Sequence, residues 1–368
     1  MSSATTHRST LYDQTAPRWS AWRCVYWIAL TIVLIALTRS PWKSGYADAP
    51  ERVGTDLQLY ASEVEQLRAG DHYYDVAVRE LVARGFPTRS VFNWRTPATF
   101  VTTAAVGNSA ARIGLALVAF ATWWFVVPTW KRRSGTAGVL LGTVMLLGAA
   151  LPCALEQAWL MPEVWSGLCI GLSAAAFAAG YGRIAILAGV AALFCRELAA
   201  PYVLICAIFA WRGESYRELL GWFAGCVAYA LFYAWHAGMV LPRIAPDALA
   251  HDRSWLAFGG VMFVISLVQM NVWLLIAPQW LSAIALSATA LSWSVPSRIE
   301  AEQRWAWCGL AYVLIFACVG LPFNQYWGSQ IAPLLALSAG CVPAALRMVF
   351  FGVTRKPNTT TEDMVAAA

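Results

Sequence analysis

Long apolar runs, separated by short polar turns, constrain the fold of this chain more than any other feature of its sequence. A helix needs about 20 residues to cross roughly 30 Å of hydrocarbon. Nine runs are close to that length, and they cover residues 22–38, 110–130, 137–154, 159–180, 218–238, 256–277, 279–294, 305–322 and 330–351. Charged residues make up only 12% of the chain, against about 25% in soluble proteins. We therefore predict an all-α polytopic membrane protein, because backbone groups in lipid must be paired internally and no alternating barrel pattern is present.

One further apolar stretch, residues 184–211, is broken by the sequence Phe-Cys-Arg-Glu-Leu around Arg196 and Glu197. It is either one span with a buried ion pair or two short segments that meet at this pair on the outer face. The positive-inside rule places Arg212 and Arg217, which follow this stretch, in the cytoplasm. That location favours two segments. Because the choice changes the number of later spans, we expect about nine to eleven transmembrane helices.

Basic residues beside the first apolar runs predict the topology. Arg18 and Arg23 place the N terminus in the cytoplasm, and residues 131–133 place the end of the next span there too. The alternative to an uncleaved first helix is a signal peptide cleaved near residues 47–49, but two basic residues stand before that site. The protein is expected in the inner (plasma) membrane. Its predicted parts are a cytoplasmic tail (1–21), a first transmembrane helix (22–38), an extracytoplasmic catalytic loop (39–96), a transmembrane bundle (97–351) and a C-terminal tail (352–368).

The extracytoplasmic loop is the one long polar segment, and its pattern predicts two amphipathic helices. Thr55 and Gln58 form a capping box before the first helix, and Gly70 ends it. Its apolar face consists of Leu57, Tyr60, Val64 and Leu67, and that of the second helix consists of Tyr74, Ala77, Val78 and Leu81. Both helices are expected on the membrane surface or over the bundle. Residues 97–108 are too short for a span and predict a surface or re-entrant helix.

Asp56 is the first candidate for chemistry in this loop. A carboxylate in the first turn of a helix is stabilised by the helix dipole by about 0.3 to 1 kcal/mol, which is a sufficient structural reason for an Asp. Tyr60 follows one turn later, and both residues belong to a helix that begins just outside the bundle. A carboxylate in that position could act as a general base on a hydroxyl delivered from the aqueous side.

The same segment carries a motif of about twenty residues, Asp-x-x-x-Tyr followed by Leu-x-Ala-Gly-Asp-x-Tyr-Tyr. It consists of Asp56, Tyr60, Leu67, Ala69, Gly70, Asp71, Tyr73 and Tyr74. This motif resembles the GT-C class of membrane glycosyltransferases, especially the polyprenyl-phosphate-mannose-dependent mannosyltransferases. The resemblance implies that Asp56 is the catalytic base. Many members of that family carry an adjacent acidic pair, whereas Thr55 and Leu57 flank the Asp here. That difference argues against an acidic metal site.

Ionisable residues elsewhere in the apolar chain are further candidates, because they are costly inside a membrane. Arg196 and Glu197 are either a structural ion pair or a phosphate site, in which the planar guanidinium holds the lipid-linked phosphate and Glu197 orients it. His236 lies near the end of a span, as a cap or as a substrate ligand. It would begin a polar rim that continues through Arg243, Asp247, His251, Asp252 and Arg253.

Two clusters of aromatic and amide side chains border membrane segments, at residues 93–95 and 324–328. Aromatic faces stack on sugar rings and amides bond sugar hydroxyls, although interfacial Trp and Tyr are common without such a role. The predicted substrate-binding residues are Tyr60, Asn93, Arg95, Arg196, Glu197, His236, Asn324, Tyr326 and Trp327. Glu156, Gln157 and Glu163 are weaker candidates of the same kind.

The leading functional hypothesis is an inverting glycosyltransferase at the outer membrane face. It would move a mannose-like hexose or a pentose from a polyprenyl-phosphate donor to a lipid or glycan acceptor. No P-loop, dinucleotide motif or metal-ligand spacing is present, and the net charge of +6 is dispersed, so we expect no cofactor, metal or nucleic acid. The alternative is a lipid or solute transporter with Arg196 and Glu197 as a gating pair. The single interrupted helix counts against it, because transporters often have paired interruptions in repeated halves.

Overall fold

The computed structural model describes residues 21–39, 55–250, 258–297, 299–320 and 322–351, and every regular element in these ranges is a helix. The predicted all-α fold is confirmed. The predicted C-terminal tail, nearly all of the N-terminal tail and residues 40–54 of the loop lie outside the described residues. The helices are α1 (Ala21–Leu37), α2 (Asp56–Arg68), α3 (Tyr73–Ala83), α4 (Ala98–Val106), α5 (Asn108–Ser134), α6 (Thr136–Ala150), α7 (Pro162–Ala178), α8 (Gly182–Cys195), α9 (Ala200–Arg212), α10 (Tyr216–Val240), α11 (Gly260–Val268), α12 (Val272–Leu275), α13 (Gln279–Ser294), α14 (Glu300–Cys318), α15 (Gly328–Ala339) and α16 (Val342–Phe351).

Three helices in the described ranges are long and apolar enough to cross a membrane: α5, α6 with the turn that follows it, and α10 with its own following turn. The pair Phe323–Ala339 and Val342–Phe351, bent by 49°, makes a fourth if it is one span. Other apolar helices, including α7 and α8, are shorter than 18 residues. Fewer helices of the described ranges therefore reach spanning length than the nine to eleven expected, and two of the predicted apolar runs are divided between shorter helices.

Residues 256–277 illustrate such a break, and the prediction of one span there is wrong. The structure has α11 and α12 instead, separated at Asn271. The Asn271 side chain accepts a hydrogen bond from the backbone of Trp273, as an N-cap does, and donates 2.7 Å to the carbonyl of Met145 in α6. At residues 196–199 the chain is divided as the two-segment interpretation predicted, because α8 ends at Cys195 and a 3₁₀ turn precedes α9. Arg196 is nevertheless buried in an ion pair, as the one-span alternative expected.

The centre of the bundle is α7, which packs against α5, α8 and α15. A β-carbon at Gly167 would lie 2.5 Å from the carbonyl oxygen of Ser329, so only glycine allows the two backbones to approach this closely. Helix α15 is buried along its whole length. The bundle is thus built on close contacts between backbones as well as on large side chains.

The two loop helices form as predicted and pack on the bundle. Thr55 and Gln58 make the capping box, and Gly70, with a φ of 101°, follows the end of α2. The buried face of α2 is rotated from the predicted one: Leu57 and Leu67 are half-buried, whereas Leu59 and Glu63 are buried. This face and α3 share a hydrophobic cluster with α4, α5, α7 and the end of α10. The predicted short helix after residue 97 is α4.

Polar contacts fix α3 to α10. The hydroxyl of Tyr74 lies 3.0 Å from Nδ1 of His236, and both side chains are buried. At the end of α10, the guanidinium of Arg243 makes a 2.8 Å ion pair with Asp75. The loop therefore lies over the bundle in one defined position.

Candidate functional site

A cavity of about 50 Å³ lies beneath the first two turns of α2. Its walls come from α2, α3, the segment 86–95 and the 3₁₀ turn Pro322–Trp327. Residues from two distant parts of the sequence, 56–95 and 323–326, therefore meet here. The lining residues are Asp56, Leu59, Tyr60, Glu63, Tyr73, Leu81, Phe86, Pro87, Asn93, Arg95, Phe323, Asn324 and Tyr326.

Six of the ten residues predicted for the site line this one cavity. They are Asp56, Tyr60, Asn93, Arg95, Asn324 and Tyr326. The capping box at Thr55 starts α2 at Asp56, so Asp56 and Tyr60 lie one turn apart on the side that faces the cavity. The carboxylate is half-buried and lies at the positive end of the helix dipole.

Arg95 connects the loop to the turn before α15. Its Nε donates to the hydroxyl of Tyr60 and its Nη2 to the hydroxyl of Tyr326, each at 3.1 Å. Its backbone carbonyl accepts a 2.7 Å hydrogen bond from Tyr73. Among the described residues, no carboxylate forms an ion pair with this guanidinium. The cavity thus has a positive charge that is held in place by phenol groups, and no carboxylate in the described ranges touches it.

Unpaired amide atoms also lie on the cavity wall. Within the described chain, Oδ1 of Asn93 and both side-chain polar atoms of Asn324 are buried without a hydrogen-bond partner. Buried polar atoms are normally paired, and each unpaired one has a free-energy cost of about 1 to 3 kcal/mol. Three such atoms around one cavity favour a ligand that offers both donors and acceptors.

Four predicted site residues do not line the cavity. Arg196 is buried in an ion-paired cluster, 2.7 Å from Glu163 and also in contact with Glu197. His236 is buried against Tyr74. Trp327 is enclosed by aromatic rings, with its ring centre 5.5 Å from that of Phe316 and 6.5 Å from that of Phe263. His251, Asp252 and Arg253 of the proposed rim lie outside the described residues.

Glu63 is a cavity residue that the sequence reasoning missed. It lies one turn beyond Tyr60 and two turns beyond Asp56, and its side chain is buried. Burial raises the pKa of its carboxyl to about 8. The spacing 56, 60, 63 was a usable signal, because residues at these positions share one helix face. An acidic residue within the apolar face of α2 is unusual enough to mark a site.

No three His, Cys, Asp or Glu side chains of the described ranges are grouped closely enough to hold a metal ion. The nine cysteines are all free, and Cys153 lies at the edge of the loop cluster rather than at the cavity. The charged chemistry on the cavity wall is therefore that of Asp56, Glu63 and Arg95.

The whole fold is similar to that of a known membrane glycosyltransferase. The crystal structure of ArnT from Cupriavidus metallidurans bound to undecaprenyl phosphate, a GT-C enzyme, matches with a TM-score of 0.52 and 15% sequence identity. The match covers 95% of this chain but only 63% of the ArnT chain. No protein-family model matches the sequence, and comparison with curated proteins gave no match. The GT-C-like fold that the loop motif led us to expect is thus confirmed. The chain is an integral membrane protein.

Proposed function

We propose that this protein is an inverting glycosyltransferase that moves a sugar from a polyprenyl-phosphate donor to a lipid or glycan acceptor at the outer face of the membrane. The observation that carries the proposal is one cavity that combines a carboxylate, a guanidinium with no carboxylate ion-pair partner among the described residues, and amides that are unpaired there. The GT-C fold supports it. We take the donor sugar to be a mannose-like hexose or a pentose, as the loop motif implies.

In the proposed reaction, Asp56 is the general base. Its carboxylate takes the proton of an acceptor hydroxyl, and that oxygen attacks the anomeric carbon of the donor sugar. The bond from the anomeric carbon to the phosphate oxygen breaks, and the lipid phosphate leaves with the bonding electrons. A single displacement of this kind inverts the anomeric configuration. The half-buried position of Asp56 at the cavity edge allows it to meet an acceptor that arrives from outside.

We assign the leaving phosphate to Arg95 rather than to Arg196. The charge of Arg196 is already balanced by Glu163 and Glu197, so binding a phosphate there would require breaking a buried ion pair. Arg95 has no such partner in the described chain, and its hydrogen bonds to Tyr60 and Tyr326 orient it. A planar guanidinium matches two phosphate oxygens at once and stabilises the charge that develops on them.

The amides of Asn93 and Asn324 are proposed to bind sugar hydroxyls. Each hydroxyl can donate and accept, so it can satisfy both the oxygen and the nitrogen of an amide. Tyr60 remains protonated, because burial raises the pKa of its phenol. The remaining predicted residues would act only indirectly. Glu197 would stabilise the turn after α8, and His236 the packing of the loop helices on α10. Trp327 would stabilise the 3₁₀ turn before α15.

The test is the change Asp56→Asn, which keeps the shape of the side chain and removes the base. We expect loss of transfer from undecaprenyl-phosphate mannose by at least about 100-fold, with an unchanged melting temperature. Glu65→Gln is the matched control, because Glu65 is exposed on the same helix. Full transfer by Asp56→Asn would refute the assignment of the base. Movement of the lipid-linked sugar across vesicles without any transfer would support a transporter instead.

A further inference from the structure

Glu63 contributes a carboxyl group to the cavity that the proposed reaction does not use. Its side chain is 3% exposed. Of the two carboxyl oxygens, Oε2 is fully buried, and no group in the described ranges forms a hydrogen bond with it. The cavity is lined by this residue and, on the same helix face, by Asp56 and Tyr60. A side chain that lines a cavity and carries an unpaired polar atom is a position where a ligand can supply the missing partner.

The charged groups around Glu63 already have other partners. Glu80 forms a 2.9 Å ion pair with Arg84 and accepts a 2.6 Å hydrogen bond from Gln66. Arg95 is bound to two tyrosine hydroxyls. No described cation forms an ion pair with Glu63, so an ionised carboxylate would be buried without a partner, which is unfavourable.

The protonation state of Glu63 follows from this environment. Burial raises the pKa to about 8, opposed by Arg95 and Arg84 and assisted by Glu80. Near pH 7 the group is therefore mainly a neutral carboxylic acid. Asp56 and Glu63 thus have different surroundings on one helix: one is half-buried at the cavity edge and the other is enclosed. Two carboxyls in unlike environments are suited to different tasks.

A neutral carboxylic acid is a good partner for a hydroxyl group. It has one O–H donor and one carbonyl acceptor, and a hydroxyl likewise donates once and accepts. A carboxylate could only accept, and it would favour a cation in its place. The amides of Asn93 and Asn324 on the same cavity have the same double character. The chemistry of this wall therefore fits an uncharged ligand rich in hydroxyls.

We propose that Glu63 is a specificity-determining residue that recognises one hydroxyl of the sugar held in the cavity. This inference rests on the proposed function, because it requires a sugar at this place. The hydroxyl belongs to the donor sugar or to the acceptor sugar, and the same contact serves either. A buried polar group that is left unpaired by a deoxy sugar makes the site reject that sugar. Glu63 thereby selects the substrate, while Asp56 takes the proton.

The test compares intact and deoxy sugars in the full-length protein in proteoliposomes. The donors are undecaprenyl-phosphate mannose and its 2-, 3-, 4- and 6-deoxy forms, with octyl mannoside as acceptor. In the second arm the donor is intact, and the acceptors are octyl mannosides that lack one hydroxyl other than the attacking one. Wild type should discriminate against one deoxy form, in one arm, by roughly 10- to 100-fold in kcat/KM. The arm in which this occurs tells whether the hydroxyl is on the donor or on the acceptor.

Glu63→Leu should lose that discrimination. It should transfer the intact sugar roughly 10- to 100-fold less efficiently than wild type does. It should transfer the deoxy sugar that wild type rejects about as efficiently as wild type does. Glu63→Gln keeps a donor and an acceptor, so it should stay within about threefold of wild type for all sugars. Glu65→Leu, on the exposed side of α2, is the matched control and should change neither quantity.

Other results would overturn the inference. If Glu63→Leu lowers transfer equally for every sugar, with the discrimination of the wild type intact, Glu63 has only a structural role. If the wild type discriminates against none of the deoxy sugars, the proposed contact does not exist, although the glycosyltransferase activity stands. If the wild type transfers neither mannose nor a pentose from undecaprenyl phosphate, the proposed function itself fails and the inference fails with it.

Discussion

Replacing Glu63 with glutamine should remove a large part of the dependence of stability on pH. The pKa of this carboxyl is about 8 in the folded protein and about 4.5 in an unfolded chain. Between these two values the folded state keeps a proton that the unfolded state releases. Each pH unit in this window therefore lowers the free energy of unfolding by 1.36 kcal/mol. Over about 3.5 units the loss amounts to about 5 kcal/mol.

The sign of the effect is specific. The contribution of Glu63 is fully present below pH 4.5, decreases as the pH rises, and is lost above pH 8. Ordinary acidic residues that are ion-paired behave in the opposite way, because they lose stability as the pH falls. Asp75 is an example, since its hydrogen bond with Arg243 lowers its pKa. A glutamine at position 63 has no proton to release and should remain insensitive through the window.

The measurement is thermal unfolding in detergent, followed by tryptophan fluorescence, of wild type, Glu63→Gln and the control Glu65→Gln between pH 4.5 and 8.5. With an unfolding entropy of about 2.1 cal/mol/K per residue, a loss of about 5 kcal/mol over 368 residues corresponds to roughly 6 °C. The melting temperature of wild type should fall by that amount relative to Glu63→Gln. Parallel curves for the two proteins would mean that Glu63 ionises normally and that the cavity is hydrated, which refutes the burial argument.

Three further changes test the packing that supports the site, each by the same melting experiment. Gly167→Ala forces a methyl group against a backbone carbonyl and should lower the free energy of unfolding by about 1 to 3 kcal/mol. The control is Gly114→Ala, which has open space around it and should leave the free energy of unfolding unchanged or raise it by up to about 1 kcal/mol. Arg196→Met leaves a buried carboxylate unpaired and should cost about 3 to 5 kcal/mol; a neutral result would mean that the ion pair is hydrated. Tyr74→Phe removes the hydrogen bond to His236 and should cost about 1 kcal/mol.

The parts of the fold that could be predicted from the sequence depend on neighbouring residues. The capping box at Thr55 and Gln58, and the break after Cys195, are encoded within a few positions. The break at Asn271 is different, because its amide bonds the carbonyl of Met145, which is 126 positions away in the sequence. Hydropathy alone gives a continuous apolar run there. Contacts between distant segments decide whether such a run remains one helix.

The same division applies to the candidate site. Residue chemistry selected Asn93 and Tyr326, and the resemblance of the loop motif selected Asp56; the three converge on one cavity although up to 270 positions separate them. From the sequence, Arg196 was a candidate for the phosphate. Its ion pair with Glu163 rules against that role, but the pair forms only when α7 packs against the end of α8, so the sequence does not reveal it. Glu63 was missed for a similar reason. Which face of α2 is buried depends on its contacts with α3 and α4, and the capping signal does not specify it.

The small volume of the cavity has a kinetic consequence. At a share of about 30 Å³ of liquid for each water molecule, 50 Å³ holds roughly two of them. Water is the competing nucleophile in any transfer from an activated sugar, and in bulk solution it greatly outnumbers every acceptor. A sugar that enters this cavity has to displace the few molecules present. In the proposed reaction, a sugar bound at the cavity leaves little room for a competing water molecule, which favours transfer over wasteful hydrolysis.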